Sequence, residues 1–221
     1  VPLCRSEPNV MTLVGIPPPA ATGGYQDSPA TPELYGPTGL AFDGDQMFIG
    51  DISNFRIRQY NMVTREMSTL LGDGTSGYQE GIGLVAQLNR ANSLAWHQAS
   101  GTLYFTDWGN HRIRAVNPST KESSPFIGDG TEGFTDGTGV SVKLQFPYGL
   151  VLDVAADILY TAGDGDNKIR SIVVSTGVTT TIAGNGDAQV LVNGVGTAAR
   201  FFSPNCLAHD PASRTLFVSE W

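Results

Sequence analysis

Two eight-residue stretches bring carboxylate, amide and guanidinium groups to a fixed spacing: Asp51, Asn54, Arg56 and Arg58, then Asp107, Asn110, Arg112 and Arg114. Both read Asp-x-x-Asn-x-Arg-Ile-Arg, and their closing arginines lie 56 residues apart. Lys168 and Arg170 extend the series by a further 56 residues. Such a set could ring a charged ligand. It could also build a turn, because Asp and Asn side chains satisfy nearby backbone amides and a neighbouring Arg can pair with the carboxylate. A feature that returns in every unit serves the unit, so these residues are expected to form a structural network of turns and strands.

Other chemistries have weaker signatures. Arg56, Arg58, Arg112, Arg114, Lys168 and Arg170 make a basic stripe that could suggest RNA, but a net charge of −8 and an isoelectric point near 4.7 oppose it. Duplex binding rests on Lys and Arg neutralising phosphates, and no nucleic-acid partner is expected. Asp164 and Asp166 hint at oxygen-ligand spacing for calcium, yet the further acid that a calcium loop requires is missing. No metal and no cofactor are therefore expected. Of the three histidines, His97 stands at a strand-end turn, His111 in a turn between strands, and His209 in a strand that could line a channel. No Ser/His/Asp or Cys/His set has matched spacing, so no catalytic residue is assigned. Cys4 and Cys206 are the only cysteines. They fall towards opposite faces of the expected fold and should not be joined within one chain, since a bridge needs Cα atoms within about 7 Å.

The elements that position these residues repeat. Gly72-Asp73-Gly74, Gly128-Asp129-Gly130 and Gly184-Asn185-Gly186 recur at the same step of 56. Within one unit, short runs of period-two alternation predict four strands, at about 39–42, 46–50, 55–61 and 67–71. A turn at 51–54 joins the second strand to the third. A glycine-rich connection of some 18 residues follows, with a short helical piece such as 139–144. Four antiparallel strands per repeat of this length predict β-propeller blades, each burying its faces only against its neighbours. The first strand of each blade would line the central channel and the fourth would lie at the rim.

The expected fold is thus an all-β propeller of four-stranded antiparallel blades, a partial or larger ring. Residues 1–9 form a lead-in, and the blades cover 10–221: a partial blade at 10–15, full blades at 36–72, 90–128 and 146–184, and a partial blade at 203–221. The two ends could together complete a four-bladed ring, but a chain cut in mid-turn after Trp221 reads better as a segment of a longer propeller. The turns between second and third strands share one face with the long inter-blade loops. That face carries Phe55, Tyr78, Trp108, His111, Phe134 and Asp164, with Tyr148 near the channel mouth.

These units resemble NHL repeats. The resemblance is carried by Pro147-Tyr148-Gly149-Leu150-Val151-Leu152-Asp153, by the run from Leu103 to Arg114, and by the linking run from Gly128 to Gly137, which is similar to the long-linker version of these repeats. It covers nearly the whole chain from about residue 10. Two departures stand out: Gly163 occupies the position of Asp51 and Asp107, and Ala91 and Ser93 replace Pro and Gly. The resemblance implies a propeller, commonly of six blades, most often a binding platform. Some such propellers partner ubiquitin ligases, some bind RNA, some are secreted, and one is a peptide-amidating lyase.

A fold hosts many activities, so function must come from the site. A non-enzymatic scaffold that binds a protein partner, or other domains of the same longer chain, through the inter-blade loop face is expected. Phe55, Tyr78, Trp108, His111, Phe134 and Tyr148 are its candidate surface, since aromatic side chains anchor interfaces; the plainer reading of each is packing between loops. The alternatives are a channel-sited metal-dependent hydrolase or lyase, motivated by His209, and an RNA-binding propeller. No apolar run approaches the ~18 residues that span a bilayer, so this segment is not expected to insert into a membrane. An extracellular or cell-surface setting is slightly favoured.

Overall fold

The structure is a computed structural model that describes residues 24–27, 32–187 and 191–220. The expected lead-in at 1–9, the partial blade at 10–15, Cys4 and Trp221 lie outside the described residues. Cys206 is a free, exposed thiol.

Three antiparallel sheets of the same design follow one another. The first comprises β1 (Pro37–Asp43), β2 (Gln46–Asp51), β3 (Arg56–Asn61) and β4 (Met67–Leu71), paired in chain order. The second comprises β5 (Ala91–His97), β6 (Thr102–Asp107), β7 (Arg112–Asn117) and β8 (Glu122–Ile127). The third comprises β10 (Pro147–Asp153), β11 (Ile158–Gly163), β12 (Lys168–Val173) and β13 (Val178–Ala183). Here the preceding linker contributes a short fifth strand, β9 (Gly137–Thr138), along the outer edge of β13. The hairpin β14 (Pro204–Asp210) and β15 (Thr215–Glu220) begins a fourth unit.

Alternation explains why these segments are strands with two useful faces. Phe48 and Ile57 point from the first sheet towards the second, where Leu94, Leu103 and Phe105 meet them in one buried cluster. Tyr104 and Ile113 do the same from the second sheet against Leu150, Leu159 and Ile172 of the third. The junctions also carry ring contacts: Phe48 lies 5.6 Å from Trp96, and Tyr160 lies 5.9 Å from His209. The first strands of consecutive sheets, β1, β5, β10 and β14, contact one another. That places them innermost, with β4, β8 and β13 outermost.

Glycine is required where chains approach. A Cβ on Gly39 would stand 2.6 Å from the carbonyl oxygen of Asn92 in the next inner strand. The slot that Gly39 holds is taken by Ser93 in β5, whose Oγ instead donates to the carbonyl of Leu150 at 3.2 Å. The departure from glycine there adds a cross-sheet hydrogen bond.

Candidate functional site

In the first two sheets the turn after the second strand is a single 3-10 turn, Ile52–Asn54 and Trp108–Asn110. The residue that closes it enters the left-handed region: Phe55 at φ 51° and His111 at φ 54°, with Asn167 at φ 54° in the third sheet. From this turn the chain enters the third strand, and its basic residues divide into two roles.

Arg58, Arg114 and Arg170 are fully buried. Arg58 Nη1 donates to Asp51 Oδ2 at 3.0 Å and to the carbonyl of Glu33 at 2.9 Å, while Nη2 donates to the carbonyl of Gln26 at 3.0 Å and to Asp27. Arg114 repeats the arrangement with Asp107 (2.8 Å), Glu80 (2.7 Å) and the carbonyls of Gln87 and Gln79. One end of each guanidinium therefore grips its own turn and the other grips the linker that leads into its sheet. Asp51 and Asp107 complete the turn by accepting the backbone amides of Tyr35 and Asn89 at 2.7 Å and the side-chain amides of Asn54 and Asn110 at 2.8 Å. Burial pushes the Asp107 carboxyl up, against the pull of Arg114 and Asn110.

The linker acids Asp27, Glu80 and Asp136 went unrecognised in the sequence, although each stands two residues after an aromatic (Tyr25, Tyr78, Phe134). In the first and third sheets the acid accepts both the amide and the hydroxyl of a threonine on the outermost strand, Thr69 or Thr181. The second sheet has Pro125 at that position and so offers neither donor. The longer Glu80 instead accepts Ser123 Oγ at 2.5 Å.

The third sheet solves a second substitution. Gly163 replaces the turn aspartate, and Asp166, in the slot of Asn54 and Asn110, supplies the carboxylate to Arg170 Nη1 at 2.5 Å. A Cβ at position 163 would collide with the Asp166 carboxylate. Burial pushes the Asp166 carboxyl up, and Arg170 opposes that shift. Asp166 is thus committed to Arg170, which leaves Asp164, half-buried in the turn, as the other member of the pair considered for calcium. Among the described residues there is no group of three or more His, Cys, Asp or Glu that could hold a metal ion.

Arg56 and Arg112 take the other role. Their Nη2 atoms donate to the carbonyls of Asp73 (2.8 Å) and Asp129 (2.5 Å), holding the Gly-Asp-Gly loops. They also stack on linker aromatics, Arg56 3.7 Å from the Tyr25 ring centre and Arg112 4.2 Å from that of Tyr78. Lys168 lies 4.8 Å from the Phe134 ring centre. Tyr78 and Phe134 keep 41% and 62% of their surface in solvent. Phe55, Trp108, His111 and Tyr148 are half-buried. Trp108 and His111 converge on Phe146, at 4.6 and 4.5 Å between ring centres, and Arg90 lies over Trp108 at 5.1 Å.

Burial and a backbone partner both disfavour protonation of His111. Its Nδ1 accepts the backbone amide of Phe146 at 3.3 Å, and burial lowers its pKa while Glu132 partly opposes this. A base whose folded pKa is depressed contributes stability above its unfolded pKa, about 6.5. That contribution is lost as pH falls through the folded value. Denaturant unfolding between pH 7.5 and about 5.5 should show declining stability, and His111→Asn, which tolerates the left-handed backbone, should flatten the decline.

His209 does not face a channel. Its side chain lies against Tyr160, with Nε2 3.5 Å from Asp153 in the third sheet. His97 is likewise engaged, with Nε2 3.3 Å from Asp157 and Nδ1 2.7 Å from Ser100 Oγ. Strand alternation could say that His209 points sideways or inward, but not which neighbouring sheet it would lean on.

Repeated four-stranded sheets packed face to face, with inner strands in contact, define a β-propeller, and the chain is similar to NHL-repeat proteins. No family model matches it. It is 25% identical over 196 residues to Protein SUPPRESSOR OF QUENCHING 1, chloroplastic, of Arabidopsis thaliana, covering 86% of this chain and 19% of that protein. It is 24% identical over 152 residues to human NHL repeat-containing protein 2, covering 63% of this chain and 21% of the relative. The chain thus spans about a fifth of the length of these relatives. Among solved structures, an auxiliary nutrient binding protein from Bacteroides ovatus superposes with a TM-score of 0.64 at 18% identity, covering 84% of this chain and 46% of that one. The nidogen/laminin complex gives 0.61 at 18% identity, covering 86% and 59%. At that identity the likeness is one of fold. No helix among the described residues is long and apolar enough to cross a membrane.

Proposed function

We propose that the chain is a segment of a non-enzymatic propeller scaffold that engages a protein partner, or another domain of a longer chain, through its long-loop face. The observation that carries this reading is the pair of solvent-facing rings, Tyr78 and Phe134, each fixed over a cation of the next sheet. An aromatic already immobilised loses little rotamer freedom on binding, which favours its use as an anchor. The Trp108–His111–Phe146 cluster offers half-buried apolar surface on the same side. RNA binding would call on Arg58, Arg114 and Arg170, and these are turned inward and paired.

Phe134→Ala and Tyr78→Ala should leave the melting temperature within a degree or two, since surface changes cost about 0.5 kcal/mol or less. Each should weaken capture of a cross-linked partner, by about 2 kcal/mol where the ring is a hot spot. Undiminished capture by a folded double variant would place the binding face elsewhere.

A further inference from the structure

The Gly-Asp-Gly loops contain one repeat in which the chemistry changes. Asp73 and Asp129 are followed at the same step by Asn185, so the third loop reads Gly184-Asn185-Gly186. The three side chains do the same thing. Oδ1 of Asp73 accepts the amide of Thr75 at 2.6 Å, Oδ1 of Asp129 accepts that of Thr131 at 2.7 Å, and Oδ1 of Asn185 accepts that of Asp187 at 2.8 Å. The following glycines share a left-handed backbone, with φ of 96°, 85° and 90°.

Each loop also lies among cations. Lys143 Nζ stands 3.8 Å from Asp129. In the third loop Arg200 pairs with Asp187 at 2.9 Å, and Lys168 Cε lies 3.4 Å from where a Cβ on Gly186 would stand. The position that holds a carboxylate in the first two loops holds an amide in the third.

We propose that Asn185 is a site of hydrolytic deamidation, a modification that installs the aspartate the other two loops already carry. The backbone nitrogen of Gly186 attacks the side-chain carbonyl carbon of Asn185. Ammonia leaves, and a five-membered succinimide closes. Water then opens the ring to aspartate or, by attack at the other carbonyl, to isoaspartate. Water is the only co-reactant, and no electrons change hands.

Three features of the loop favour the step. Asn185 is exposed to solvent. Gly186 has no Cβ to shield its nitrogen, and that nitrogen makes no hydrogen bond among the described residues. The amide of Asp187 donates to the very carbonyl under attack, which withdraws electron density from its carbon. By contrast, Asn110 and Asn167 are followed by side chains rather than glycine and are bonded into the turns. An aspartate product keeps the side-chain oxygen that accepts the Asp187 amide, and so keeps the turn. Isoaspartate, with a methylene inserted in the backbone, would not keep it.

The test is incubation of the folded protein at mildly alkaline pH, with peptide mapping by mass spectrometry over time. The expected result is a steady amide-to-acid mass gain at residue 185, ahead of Asn110 and Asn167 and abolished in Asn185→Gln. Asn185→Asp, standing for the product, should melt no lower than the parent. Retention of the amide at 185 in folded protein while a denatured sample converts would overturn the proposal. So would a lower melting temperature of the aspartate variant.

Discussion

Arg114→Met is expected to destabilise the fold by about 3–5 kcal/mol, the usual cost of removing one partner from a buried ion pair. Methionine keeps most of the side-chain volume, so the loss is electrical rather than steric. Asp107, fully buried, would keep a charge with only Asn110 and the amide of Asn89 to hold it. Glu80 would lose its cation and keep only Ser123, and the carbonyls of Gln79 and Gln87 would lose their donors. The linker between the first and second sheets would come free at its outer turn. Equilibrium unfolding in urea measures the change, and protection of the 79–88 amides from hydrogen exchange reports the linker directly. A loss below about 1 kcal/mol, the range of exposed ion pairs, would show that Arg114 is not the clamp its geometry indicates.

The second large effect is a rescue. Asp166→Asn should cost about 3–5 kcal/mol by leaving Arg170 with only the more distant Asp136, at 3.4 Å from Nε. Gly163→Asp alone should also destabilise, because its side chain enters the space of the Asp166 carboxylate and sets two acids side by side. Together they recreate the Asp-x-x-Asn pairing of the first two sheets. The double variant should therefore be more stable than either single one, with a coupling of about 1–3 kcal/mol. Simple additivity of the two losses would contradict the assignment of Asp166 as the replacement carboxylate.

What the sequence reveals and what it conceals divide along physical lines. Strand alternation and the glycine turns are local, and they placed the four strands of the first unit within a residue or two of β1 to β4. The 3-10 turn at Gly139–Ser141 lies in the linker piece expected to be helical. Strand β9 escaped notice because two residues carry no periodicity. Gly163 at the position of Asp51 and Asp107 is legible as a departure, but nothing in the linear order says that positions 163 and 166 compete for one space. The roles of Asp27, Glu80 and Asp136 depend on linkers folding back to the outer strand of the following sheet. Their spacing after Tyr25, Tyr78 and Phe134 was visible, yet its purpose emerges only when the acids meet Arg58, Arg114 and Arg170. The candidate surface was legible as a set of aromatics. That Tyr78 and Phe134 are held over cations, while Trp108 and His111 close on Phe146, required the packing of one sheet on the next.

The claim on which all of this rests is that consecutive sheets bury their faces against one another. A double-mutant cycle on Phe48→Ala and Trp96→Ala tests it across the first junction, where the rings lie 5.6 Å apart on different sheets. A coupling of about 0.5–1.5 kcal/mol is expected for such an aromatic pair. Additive losses, with no coupling beyond about 0.3 kcal/mol, would mean that the two sheets do not meet there.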